Sequence, residues 1–163
     1  MKVSTPALKA LKDAGVTYQV HEDVLARPAS KVLPPNLGAQ VAAAMGVDTT
    51  QMFKTLIVMA DDQPYCAVVP VAGRLNLRAF ARLVGTKGAK MASQDDVRRL
   101  TGYVPGGVSP FGMRTALPTV VDEAATGWES IFISAGRRGL VAEIAPEDLI
   151  STTSAKVATI ARY

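Results

Sequence analysis

The sequence predicts an α+β fold. Capped helical segments and short apolar runs are interspersed without the regular alternation that marks parallel βαβ units. Gly15, Gly46, Gly85 and Gly102 each follow a segment with helical apolar spacing and read as helix stops. The 163 residues, 48% of them apolar, contain no internal repeat, low-complexity tract or interdomain linker. Residues 1–163 therefore read as one domain with an ordinary core.

Thr5 followed by Pro6 is a cap and a first-turn proline, and the helix they open carries Leu8 and Leu11 to its stop at Gly15. Val16 to His21 reads as a strand. Residues 22–36, with Arg27-Pro28, Pro34-Pro35 and no apolar period, read as a long loop of the kind that rims or covers a site. Asn36 caps a second helix through Leu37, Val41 and Met45. Phe53–Met59 and Tyr65–Val71 flank the turn signal Ala60-Asp61-Asp62-Gln63-Pro64 and predict a hairpin. Its two adjacent acids are turn residues rather than a paired-carboxylate site. Asn76 opens a helix with Leu77, Phe80 and Val84, and Arg78 and Arg82 share its outer face. Ser93-Gln94-Asp95-Asp96 resembles a capping box before Val97 and Leu100, and its acids suit the helix dipole. Thr119–Val121, Ser130–Ser134 and Leu140–Ile144 read as strands. Pro146 opens a brief helix through Leu149 and Ile150, and Lys156–Ile160 reads as a closing strand.

Composition excludes several classes. No apolar run approaches the roughly 20 residues that span a bilayer, and the start of the chain lacks a signal-peptide apolar region. The lone Cys66 forbids an internal disulfide and suits a reducing cytosol, so a soluble cytoplasmic protein is expected. One histidine and one cysteine cannot supply an ordinary zinc ligand set. His21, ending an apolar run, reads as a surface or hydrogen-bonded structural residue, and Cys66 as a core thiol. The net charge is +4, and the basic residues cluster: Arg74, Arg78, Arg82, Lys87 and Lys90, then Arg98-Arg99, Arg114 and Arg137-Arg138. They are either solvated faces or a diffuse surface for a polyanion such as RNA.

Two features carry chemistry. Gly106-Gly107-Val108-Ser109-Pro110-Phe111-Gly112 is either a tight turn or a concave set of backbone N–H donors suited to a carbonyl oxygen, carboxylate or phosphate. Lys54 shares a strand face with Leu56 and Val58, while Phe53, Thr55, Ile57 and Met59 share the other. With both faces apolar, the strand is expected to be covered on both sides. An ammonium there either snorkels to water or meets an anion or dipole.

These blocks carry a resemblance. Phe53-Lys54-Thr55-Leu56, the Gly106–Gly112 loop and Ser134-Ala135-Gly136-Arg137-Arg138-Gly139-Leu140 follow the order of the FKT-L, GG-SP-G and SAG-RGL motifs of the YbaK/EbsC family of prolyl-tRNA-editing proteins. Thr5-Pro6-Ala7, Val69-Pro70-Val71, Leu100-Thr101-Gly102-Tyr103, Leu117-Pro118-Thr119 and Ala145-Pro146-Glu147-Asp148-Leu149 agree with it, so it spans nearly the whole chain. The resemblance implies the YbaK/prolyl-tRNA synthetase-associated domain fold, a mixed barrel-like β-sheet flanked by helices, with the site in a groove at one side. It implies a trans-editing aminoacyl-tRNA deacylase that hydrolyses mischarged tRNA(Pro). In the YbaK branch the substrate is Cys-tRNA(Pro), whose own thiol attacks the ester. By the same resemblance Lys54 is the catalytic lysine, and Thr55, Gly106, Gly107, Ser109, Pro110, Ser134 and Gly136 are substrate-binding. No metal or cofactor is expected. The expected partners are tRNA(Pro) carrying a non-cognate amino acid and, in association, prolyl-tRNA synthetase, with no membrane.

Two departures bear on the substrate. YbaK-like deacylases carry an acidic residue after the SAG-RGL turn, where this chain has Val141, and a tyrosine after the first strand, where it has His21-Glu22-Asp23-Val24-Leu25. A more apolar pocket keeps open a sister deacylase acting on Ala, Ser, Thr or 2-aminobutyrate, or a non-catalytic tRNA- or synthetase-binding module of the same fold. Glu143, on the same strand face as Val141, is the first candidate for a replacement carboxylate, followed by Asp122 and Glu123.

Overall fold

The computed structural model describes residues 3–22, Val24 and residues 36–163, so the loop expected over 22–36 lies almost wholly outside the described residues. Helix α1 (Pro6–Ala14) starts where Thr5 Oγ1 accepts the Leu8 N–H at 3.1 Å. Strand β1 (Tyr18–His21) follows, then helix α2 (Leu37–Met45). Asn36 does not cap α2 with its side chain; its Oδ1 accepts from Gln40 Nε2 instead. Strands β2 (Met52–Ala60) and β3 (Gln63–Pro70) form the expected hairpin with a tighter turn. Only Asp61 and Asp62 lie between them, both at positive φ, the backbone that matches strand twist in a two-residue loop.

Short strand β4 (Arg74–Leu75), helix α3 (Leu77–Val84), strand β5 (Ala89–Met91) and helix α4 (Gln94–Thr101) come next. Asn76 and Ser93 cap the two helices through their side-chain oxygens. After the glycine loop run β6 (Thr119–Asp122), a 3₁₀ turn (Glu123–Gly127), β7 (Ile131–Arg137) and β8 (Leu140–Ile144). Helix α5 (Pro146–Thr153) leads to β9 (Lys156–Ala158) and β10 (Ala161–Arg162).

The main sheet is mixed and curled, in the order β1-β8-β7-β2-β3-β6-β9, with β10 pairing β4 apart from it. β2 lies at its centre, and its alternating side chains enter different clusters. Phe53 and Ile57 join Leu11, Phe111, Ile133 and Leu140 in the largest one. Val58 joins Val69, Phe80 and Ile160 beneath α3, and Met52 joins Val41, Phe132 and Val141 beneath α2. The strand is covered on both faces, as its apolar pattern requires.

The edge of β2 away from β3 is shared and incomplete. Met52 and Phe53 pair in parallel with Phe132 and Ile133 of β7, and Val58–Ala60 pair with β5. Residues 54–56 pair with no strand along that edge among the described residues.

Three expectations need correction. The closing strand breaks in two because the buried Asp122 Oδ1 accepts the Ile160 and Ala161 N–H groups at 2.9 and 2.8 Å, which turns the chain from β6 toward β4. β7 runs three residues past Ser134, so Ala135 and Gly136 form a bulge within a strand, and the turn proper is Arg138-Gly139. β4 and β5 carry no apolar pattern of their own and exist only through their partners.

Candidate active site

Where β7 diverges from β2, a cavity of about 150 Å³ opens. α2 supplies Leu37, Gly38 and Val41, β2 supplies Met52 to Thr55, and Val71 follows the end of β3. The glycine loop contributes Gly106 and Val108, and the β7–β8 hairpin contributes Ile133, Ser134, Arg137, Gly139, Leu140 and Val141. The wall is mostly apolar. Its charged groups are Lys54 and Arg137, and it contains no carboxylate among the described residues.

Lys54 is half-buried and makes no ion pair among the described residues. Burial, with a smaller effect from the Arg74 charge, holds its pKa below the ordinary lysine value. It stands on the face of Met52 and Leu56, between the clusters beneath α2 and α3. Thr55, on the opposite face, also touches the cavity, and its buried Oγ1 has no hydrogen-bond partner among the described residues. Ser134 Oγ accepts the Gly136 N–H at 3.2 Å, which holds the bulge at the cavity edge.

The structure thus brings Lys54, Thr55, Gly106 and Ser134 together. Gly107, Ser109, Pro110 and Gly136 are not among the lining residues. Ser109 is fully buried, its Oγ accepting the Phe111 N–H, and Tyr103 Oη donates to Phe111 O at 2.6 Å. Burial pushes the Tyr103 phenol up to about 12, so it stays a donor. The loop therefore turns its second half into the core and leaves Gly106 and Val108 to the cavity. The Gly107 N–H is spent on Val104 O, and a Cβ on Gly107 would lie 3.0 Å from Arg137 Cα and Arg138 N. Gly107 is the point where two walls of the site meet backbone to backbone.

Sequence reasoning misses the α2 wall and Arg137. Leu37, Gly38 and Val41 occupy one helical face, but nothing in the chain says which strand that face meets. Arg137 reads in the sequence as one of the basic residues of a solvated face or a diffuse polyanion surface, not as part of a cavity wall.

Val141 is buried and lines the cavity. Glu143, on its face of β8, is held by His21 Nε2 at 3.1 Å and Ser130 Oγ at 3.0 Å, away from the lining. Asp122 is committed to the Ala124, Ile160 and Ala161 N–H groups. His21 is thus a hydrogen-bonded structural residue. Cys66 is a core thiol, pushed up to about 12 by burial.

Comparison with known proteins agrees with this geometry. Residues 37–152 match the aminoacyl-tRNA editing domain family. The chain is 37% identical over 121 residues to the Enterococcus faecalis protein named "Putative Cys-tRNA(Pro)/Cys-tRNA(Cys) deacylase EbsC", covering 74% of each. It is 31% identical over 115 residues to the proline–tRNA ligase of Geobacter sulfurreducens, covering 69% of this chain and only 20% of the ligase. A crystal structure described as "a putative trans-editing enzyme for prolyl tRNA synthetase" superposes with a TM-score of 0.81 at 28% identity, over 99% of this chain and 100% of that one. No helix among the described residues is long and apolar enough to cross a membrane. By this family match and this identity the chain belongs to the aminoacyl-tRNA editing domain family.

Proposed function

We propose that this chain is a cytoplasmic trans-editing deacylase that hydrolyses mischarged tRNA(Pro), with Cys-tRNA(Pro) as its principal substrate, acting alongside prolyl-tRNA synthetase. The observation that carries this reading is Lys54, an ammonium with no acidic partner among the described residues, at a small apolar cavity beside an unpaired strand edge. Ester hydrolysis develops negative charge on the carbonyl oxygen, and a positioned cation stabilises it. Lys54 receives that charge, or holds the ester carbonyl so that it develops there. Thr55 Oγ1 and the Gly106 wall orient the acyl group, and Ser134 keeps the opposite edge in place. The nucleophile is water, giving the free amino acid, or the substrate's own thiol, giving a thiolactone and favoured by its high effective concentration. In both, the ester C–O bond breaks and the ribose oxygen leaves as a hydroxyl with the proton the nucleophile gives up.

A cavity of about 150 Å³ suits a small side chain rather than a whole aminoacyl-nucleoside, and in this reading the ribose stays at the mouth. Val141 supports a second reading. With no carboxylate on the wall, an α-ammonium would find a methyl group where a charge-assisted partner is worth about 1.5–3 kcal/mol. That favours a site that takes Ala or 2-aminobutyrate by fit alone.

The test is a deacylation panel on tRNA(Pro) charged with Cys, Ala, 2-aminobutyrate, Ser, Thr and Pro. Hydrolysis of Cys-tRNA(Pro) well above the others, with Pro-tRNA(Pro) spared, is expected. Equal inertness toward all would leave a binding module. Val141→Asp is expected to speed Cys-tRNA(Pro) hydrolysis about tenfold or to reorder the panel, as one charge-assisted hydrogen bond would. Unchanged rates on every substrate would remove position 141 from the pocket.

Gly107→Ala tests the contact between the two walls. The added Cβ must push the loop from the Arg137-Arg138 backbone, at a stability cost of about 1–3 kcal/mol. Because the residues on either side of this contact, Gly106 and Arg137, line the cavity, kcat/KM on the preferred substrate should fall at least about tenfold, as expected for misplaced binding groups. A stable variant with full activity would show that the walls move independently.

A further inference from the structure

Beyond the cavity lies a charged surface that the deacylation reading does not use. β4 and β10 pair so that Arg74 stands directly opposite Arg162, and both are exposed. Side chains directly opposite in an antiparallel pair lie on the same face, and like charges there destabilise the pairing. No carboxylate offsets them through an ion pair among the described residues. Leu75 and Ala161, the neighbouring pair, turn the other way onto the core beneath α3.

Tyr163 completes the feature. It is 78% exposed, and a Cβ on Gly73 would lie 3.1 Å from its Cε1, so the ring rests against backbone next to Arg74. Charge is segregated around it. Between Asp62 and Asp95 the chain has no acid, but carries Arg74, Arg78, Arg82, Lys87 and Lys90. Residues 149–163 likewise hold no acidic side chain, while carrying Lys156 and Arg162. Asp122, the acid whose charge reaches Tyr163, is buried and spent on backbone N–H groups. β9, β10 and Tyr163 lie beyond residue 152, where the stretch matched by the editing family ends.

The position relative to the cavity indicates the ligand. Lys54 pairs with Val69, Val71 lines the cavity, and the turn through Ala72 and Gly73 leads straight to Arg74. With the terminal ribose at Lys54, nucleotides that follow this turn reach Arg74, Arg162 and Tyr163. Paired cations beside an exposed ring are what a single strand needs, with phosphates on the arginines and a base on the aromatic face. We propose that Arg74, Arg162 and Tyr163 form a binding surface for the unpaired 3′ end of an RNA, with Tyr163 as a stacking platform and the arginines as phosphate contacts. The proposal rests on the tRNA-deacylase reading for its orientation, but its test does not depend on hydrolysis.

The probe is a stem-loop RNA with an unpaired ACCA 3′ end, carrying 2-aminopurine in place of the first overhanging base and no amino acid. Binding should quench the 2-aminopurine. Tyr163→Ala should abolish the quenching and weaken binding about tenfold, and Tyr163→Phe should retain both, since either ring stacks. Arg162→Ala should weaken binding and lower the slope of log affinity against log salt by about 0.7, the loss of one single-strand phosphate contact. Lys9→Ala, which removes a positive charge paired with Asp13 on α1, should bind as wild type. Wild-type binding without quenching would overturn the proposal. So would full binding by both alanine variants, or an equal loss on a blunt duplex without the overhang. The probe carries no ester, so failure here leaves the deacylation panel standing, and failure of that panel leaves this binding result standing.

Discussion

Lys54→Ala is expected to lower deacylation by at least about 10²-fold, the scale of removing one oxyanion-stabilising group. Lys54→Arg should not restore it, because a planar fork replaces a compact point charge in a cavity of about 150 Å³. Stability should move the opposite way. Burial and the Arg74 charge hold the Lys54 pKa below its ordinary 10.5. The folded chain therefore gives up this proton more readily than the unfolded chain does. Between the lowered pKa and 10.5 the unfolded state binds more protons, so stability rises with pH through that window. Below the window the cost of holding the buried charge is present in full. Lys54→Met should thus melt at or above the wild-type temperature at neutral pH, with the advantage shrinking as pH approaches 10.5. Near-normal turnover by the alanine variant at saturating substrate would remove Lys54 from the reaction. A Lys54→Met protein that melts well below wild type would show that the side chain serves structure instead.

Gly112→Ala is expected to be the most damaging of the glycine-loop substitutions to stability. Gly112 has φ +65°, and a Cβ there would run into the Pro6 carbonyl and lie 3.0 Å from Ala7 N. The left-handed backbone costs a non-glycine residue about 1–2 kcal/mol, and forcing the loop off the start of α1 adds about 1–3 kcal/mol. Together these lower Tm by about 5–15 °C for a chain of this size. Gly127→Ala, with no atom within 4 Å of the added Cβ, should change Tm little by comparison. Activity of Gly112→Ala should follow the folded fraction, since Gly112 does not line the cavity. If both variants melt alike, the loop is not braced on α1.

The amino-acid sequence by itself is enough for the α+β class, the capped helices and the central strand with Lys54. Each depends on signals within a few residues of one another: a cap three residues before an N–H it can reach, or an apolar period along one strand. The family blocks are equally local, which is why Lys54, Thr55, Gly106 and Ser134 can be named from the chain alone. Val141 stands out in the same way, from its place after a motif.

What needs three dimensions is every feature that depends on which segments meet. The cavity exists because β7 leaves β2 after Ile133 and β5 joins only at Val58, a partner choice that no local pattern encodes. The same holds for α2 as a wall and for the backbone contact that makes Gly107 structural. It holds too for Asp122, whose carboxylate looks free in the sequence but splits the last strand in two. That split brings Arg162 opposite Arg74, a like-charged pair set by long-range register rather than by chain proximity. Local propensity decides what a segment becomes, and burial of its faces decides whom it meets; the site is built from the second kind of decision.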